Sequence, residues 1–81
     1  MKEVMIQSAV GWLELMETHH TVRSMMRELG RSKSWAYGII RLHPSSIIAI
    51  DSTTGDRVRA IPREDVRRYL LTHHRGNPNW G

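Results

Sequence analysis

The stretch "RELGRSKSWAYGII", residues 27–40, sets one glycine between two segments of helical apolar spacing. Gly30 is either the end of one helix or the corner of a fixed pair. Upstream, Thr21 reads as an N-cap for "VRSMMRELG", where Val22, Met25, Met26 and Leu29 form an apolar stripe. Gly30 is placed to leave that helix in a left-handed conformation, which a residue without Cβ adopts at little cost. Downstream, Ser32 reads as a second N-cap, and "KSWAYGIIRLH" follows as a helix. Trp35, Ala36, Ile39, Ile40 and Leu42 supply its apolar surface. Pro44 ends it, because the residue before a proline avoids the helical region. Two helices about a tight turn are therefore expected.

The flanking sequence adds further elements. "VMIQSAVGWLELMETHH", residues 4–20, reads as a helix, with Ile6, Val10, Leu13 and Met16 at helical spacing and Glu14 and Glu17 opposite. Gly11 weakens it by roughly 1 kcal/mol relative to alanine. "SIIAID" and "RVRAI" are short, rich in β-branched residues and separated by "STTG", a hairpin signal with Gly55 at the turn. "PREDVRRYLLTHHRG" reads as a last helix, with Pro62 in its first turn and Glu64 and Asp65 close behind. His73, His74 and Arg75 complement its C-terminal end, and Gly76 stops it. The expectation is one domain over residues 1–75 and an irregular tail over 76–81. Its class is mainly α with a small hairpin: three helices, a two-stranded wing and a C-terminal helix, the order of a winged helix-turn-helix.

Eighty-one residues bury only a modest core, so stability is expected to be marginal without a partner. The formal net charge of +4 is unevenly spread. Residues 1–20 hold one basic and three acidic side chains, whereas residues 21–81 hold eleven basic and five acidic. A basic segment beside an acidic one fits a phosphate-facing surface with a separate packing surface, and equally a plain domain with scattered arginines. Without cysteine there is neither a disulfide framework nor a thiolate metal site. No apolar run reaches membrane-spanning length, and the N-terminus has no signal-peptide pattern. A soluble, cytoplasmic protein is expected.

"SMMRELGRSKSWAYGIIR" resembles the helix-turn-helix family, which wants a glycine in the turn and apolar residues at about these spacings. Met26 stands where that family carries a small residue, and Arg31 where it carries an apolar one. Residues 21–72 as a whole resemble the excisionase and MerR-like group of winged-helix DNA-binding domains. "VRAIPREDVRRYL" is similar to that group's passage from the last wing strand into an "I-P-x-x-D" helix start. The added helix at 4–18 and the long "LHPSSIIAIDSTTG" connection depart from the group. The resemblance implies a transcriptional regulator or excisionase-like factor of a phage or mobile element.

Under that resemblance the second helix of the pair faces DNA with Ser32, Lys33, Ser34, Tyr37, Gly38 and Arg41. Lys33, Tyr37 and Arg41 lie four residues apart and form one stripe. An arginine reads guanine in a bidentate way, and a lysine takes guanine or phosphate. Arg57 and Arg59 alternate with Val58 and Ala60 and so share one face of the hairpin. With Thr53 and Thr54 at its tip, that hairpin is a candidate for flanking phosphates or the minor groove. Arg31 at the turn and Arg63 at the next helix start are further phosphate candidates. The competing reading leaves the cations as solvated faces and edge arginines that deter aggregation.

No cofactor or metal site is expected. His19, His20, His43, His73 and His74 lack ligand spacing, no glycine-rich phosphate loop is present, and nothing pairs a nucleophile with a base. An enzyme is therefore not expected. Trp12 and Trp35 are expected to pack, while Trp80 falls in the tail. The expected partner is double-stranded DNA, bound as a homodimer or a cooperative assembly, with Trp12, Leu13, Tyr69 and Leu70 as candidate contact residues. The alternative is a protein-interaction module on the same surface, since fold alone does not fix function.

Overall fold

The structure is a computed structural model that describes residues 1–73. Its elements are β1 (Lys2–Ile6), α1 (Ala9–Thr18), β2 (His19–Thr21), α2 (Val22–Leu29), α3 (Lys33–Leu42), β3 (Ile47–Asp51), β4 (Arg57–Pro62) and α4 (Arg63–His73). The expected roles of His74, Arg75 and Gly76, the tail at 76–81 and Trp80 lie outside the described residues, as does the side chain of His73.

The helix pair forms by the expected local chemistry. Thr21 caps α2: its Oγ1 accepts from the Ser24 amide at 3.1 Å, and Ser24 Oγ accepts from the Thr21 amide at 2.8 Å. Gly30 leaves α2 at φ 65°, in the left-handed region. Ser32 caps α3 by accepting from the Trp35 amide at 3.1 Å. Met25, Ala36, Ile39 and Ile40 are buried where the two helices cross.

The expected fold class is overturned. The described residues form four helices and a four-stranded mixed sheet of order β1-β3-β4-β2, in place of a mainly α fold with a free two-stranded wing. β3 and β4 do form the antiparallel hairpin, with Ala49 opposite Val58. β1 runs parallel to β3 along its whole length, with Val4 opposite Ala49. β2 adds to the far edge of β4, with His20 opposite Ile61. β3 is thus an interior strand, which accounts for its nearly continuous apolar run, Ile47–Ile50.

The first expected helix is two elements. Val4 and Ile6 alternate with Glu3 and Met5, a period of two, and they form β1. Ser8 then caps α1, its Oγ accepting from the Gly11 amide at 3.1 Å. The expected stripe of Ile6, Val10, Leu13 and Met16 does not exist. Val10 and Leu13 are 62% and 65% exposed, while Leu15 is buried with Trp12 and Met16 beside it. Gly11 has a packing role: a Cβ there would meet Ile6 Cγ2 at 3.1 Å, so glycine lets β1 fold onto α1. At the other end, Pro62 closes β4 opposite His19, and α4 begins one residue later, at Arg63.

Two small cores result, on opposite faces of the sheet. Ile6, Leu15 and Ala49 make one with Trp12, Met16, Val4 and Ile47. Met25, Ala36, Ile39, Ile40, Ile61 and Val66 make the other, beneath Trp35, Tyr69 and Leu70. Ala60 and Ile61, adjacent in β4, are both fully buried and point to opposite faces. A polar network ties β2, α2 and α4 together. His20 Nδ1 meets Ser24 Oγ at 2.9 Å, and Arg63 Nη1 lies 3.5 Å from His20 Nε2. Arg63 also donates to the Met16 carbonyl at 2.9 Å and to Glu28 Oε1 at 3.0 Å.

Two predictions follow from this packing. A Cβ on Gly30 would meet nothing within 4 Å, so Gly30→Ala carries only the backbone cost of the left-handed conformation. Chemical denaturation is expected to show a loss of about 1–2 kcal/mol for Gly30→Ala and a smaller one for Gly30→Asn. The second concerns pH. Burial lowers the pKa of His20, and Arg63 lowers it further against the opposing pull of Glu28. Burial lowers that of His19 too, against Asp65. The unfolded chain therefore takes up protons first as pH falls through the ordinary imidazole value of 6.5. Thermal stability is expected to be flat above neutrality and to drop from there toward pH 5. His20→Asn, which can keep the Ser24 hydrogen bond, should flatten the drop; an unchanged profile would refute the assignment to His20.

Candidate nucleic-acid interface

α3 buries one side and presents the other. Trp35, Ala36, Ile39 and Ile40 face inward, and Trp35 meets Tyr69 of α4 edge-on with centroids 6.2 Å apart. Lys33, Ser34, Tyr37 and Arg41 are exposed on the outer side, with Gly38 half-buried among them. Lys33 Nζ lies 5.9 Å from the centre of the Tyr37 ring, so one helical turn holds a cation against an aromatic face. A Cβ on Gly38 would meet nothing within 4 Å, which leaves open space above the helix there.

Beside this helix runs a groove between α2 and α3 on one bank and the outer half of β4 on the other. Lys33 and Tyr37 line it from α3, and Arg57 and Arg59 from β4. The structure thus brings four of the expected residues into one groove. Arg23 and Met26 of α2 line it as well and were not expected. Spacing carries a signal for the orientation of Met26 only. Val22, Met25 and Leu29 form the inward stripe of α2, which turns Met26 toward the flank, where it is 42% exposed.

The other expected residues lie elsewhere. Ser32, Ser34, Gly38 and Arg41 continue along α3 outside the groove lining. Thr53 and Thr54 sit in the β3–β4 loop, where their amides donate to Asp51 Oδ1 at 2.8 and 3.1 Å. Those two bonds, with one from the Trp12 indole, hold the Asp51 carboxyl below its ordinary pKa. Arg31 lies over the Trp35 ring at 5.2 Å from its centre, so its stem covers apolar surface at a position where an apolar residue is usual. Arg63 is turned toward Met16, His20 and Glu28, and its hydrogen bond holds the Glu28 carboxyl below its usual range.

Electrostatically the groove is a cationic rim with local carboxylates. Arg57 pairs with Glu3 across β3 at 3.5 Å, both exposed. No carboxylate of the described residues forms an ion pair with Arg23, Lys33 or Arg59. Asp51 and Asp56 lie at the loop end. A serine and a histidine do meet, at Ser24 and His20, but Ser24 is 2% exposed and its hydroxyl is engaged with Thr21, which is cap chemistry. Among the described residues no group of three or more histidines and carboxylates is arranged to hold a metal ion. No helix among them is long and apolar enough to cross a membrane. Comparison with family models, with curated proteins and with solved structures finds no match to the chain.

Proposed function

We propose that this protein binds double-stranded DNA through the outer side of α3 and the groove beside it. The observation that supports this is the gathering of Arg23, Lys33, Arg57 and Arg59 from three elements along one groove, continued on α3 by Arg41. An α-helix fits the major groove, and the exposed row Lys33, Tyr37 and Arg41 presents two cations and a phenol to base edges and phosphates. Arg57 and Arg59 then meet the neighbouring phosphate backbone. Arg63 takes no part, because its guanidinium holds α4 to α2.

So small a surface binds weakly as one copy, so the reading includes paired or cooperative binding. Val10 and Leu13, exposed on α1, are among the apolar residues available to a second copy. In this reading the protein is a regulator or an excisionase-like factor of a phage or mobile element, as the resemblance of residues 21–72 implies.

Titration of fluorescent duplex DNA at two salt concentrations tests the reading. Affinity is expected to fall steeply with salt, and Arg41→Ala and Arg57→Ala each to reduce the log–log slope by about one. Binding that ignores salt, or mutants that bind as the parent does, would remove the proposal. Gly38→Leu gives an independent check. Replacing an interior helical glycine should leave thermal stability unchanged or raise it by the equivalent of up to about 1 kcal/mol. DNA affinity should nevertheless fall, because the side chain enters the space that DNA is to occupy. Unchanged affinity would mean that DNA does not approach this side of α3.

A further inference from the structure

The groove beside α3 has two properties that phosphate binding does not require. Its lining is partly apolar, with contributions from Met16, Val22, Met26 and Val58. Its β4 bank is also an open strand edge. β2 pairs with β4 only from Ala60 to Pro62, because the chain turns into α2 at Val22. Along Arg57–Arg59 no strand of the described residues pairs with β4 on the side away from β3. Unpaired edge groups of this kind are a template for a further strand. The groove, about 1070 Å³, is open to solvent rather than enclosed.

The side chains along that edge specify what would pair with it. Arg57 and Arg59 share one face and Val58 takes the other. A strand added here places alternate residues beside the two arginines and the residue between them beside Val58. Opposite charges and apolar neighbours are the favourable cross-strand pairs. Arg23 and Lys33 on the facing bank add positive charge, while Asp51 is already held by Trp12, Thr53 and Thr54; the opposing carboxylates are Asp56 and Glu3, whose exposed 3.5 Å pair with Arg57 an acidic segment would replace.

We propose that this groove takes an extended acidic peptide segment of a partner protein, with an acidic–apolar–acidic pattern, which adds as a strand to Arg57–Arg59 in line with β2. The binding stands independently of the DNA reading. One consequence rests on that reading: the segment occupies the cations that DNA uses, so it releases DNA.

The test uses the full chain, labelled with ¹⁵N, and a fluorescent peptide containing Glu-Val-Glu-Val-Glu. Two controls accompany it: a block-ordered peptide of the same composition and the alternating peptide N-methylated at every second backbone nitrogen, in both phases. The alternating peptide is expected to bind about tenfold more tightly than the block-ordered one, and one N-methyl phase to abolish binding. The amides of Arg57 and Arg59, which point away from β3, should gain protection from hydrogen exchange, and that of Val58, already directed to β3, should not. Arg59→Glu should lose the acidic peptide. Equal binding of the alternating, block-ordered and both N-methylated peptides would show attraction by charge alone and overturn the proposal, as would no binding at all. Duplex DNA titrated in parallel separates the two readings. DNA binding without peptide binding removes this proposal alone, and peptide binding without DNA binding removes the DNA reading alone.

Discussion

Ala60 and Ile61 hold this small protein together. They are consecutive in β4, both without solvent exposure, and the period of the strand sends them to opposite faces of the sheet. On the Ala60 face, α1 closes over β1 and β3. On the Ile61 face, α2, α3 and α4 converge. Neither cluster is large enough to stand alone at this chain length, so β4 couples two weak cores into one unit. The position of α3 relative to the hairpin, and with it the groove, depends on that strand.

The polar network around His20 is the second tie. It joins β2 to α2 through Ser24, and Arg63 carries it on to α4 and Glu28. Among the described residues no buried side-chain nitrogen or oxygen lacks a partner. That satisfaction matters in a protein of this size, because one unpaired buried polar group costs about 1–3 kcal/mol, a large share of a marginal stability. It also explains why an arginine at a helix start, which the sequence offers as a phosphate contact, is turned inward instead.

Local chemistry was legible in the sequence, and long-range pairing was not. The caps at Thr21 and Ser32, the left-handed exit at Gly30, the hairpin around Gly55 and the acidic first turn of α4 each depend on a few adjacent residues. β1 depends on pairing with β3, more than forty residues away, and its alternation of Val4 and Ile6 is too short to outweigh a helical reading of the residues that follow. That error hid the four-stranded sheet and turned the buried side of α1 the wrong way. At the site, the row Lys33, Tyr37 and Arg41 could be read from spacing, and the shared face of Arg57 and Arg59 from alternation. Arg23 and Met26 could not be joined to them, because only the crossing of α2 over α3 brings them to the same groove. The inward turn of Arg63 was equally hidden, since its partner Glu28 lies 35 residues away.

The proposed function rests on this groove: a helix with a cationic outer row, an arginine-bearing strand edge and a partly apolar lining. The most direct measurement of its role is ¹⁵N-resolved NMR of the protein titrated with duplex DNA at low salt. The account predicts shifts concentrated at Arg23, at Lys33–Arg41 and at Arg57–Arg59, with the outer edge of β1 undisturbed. Shifts centred on α1, or none at any DNA concentration, would contradict it.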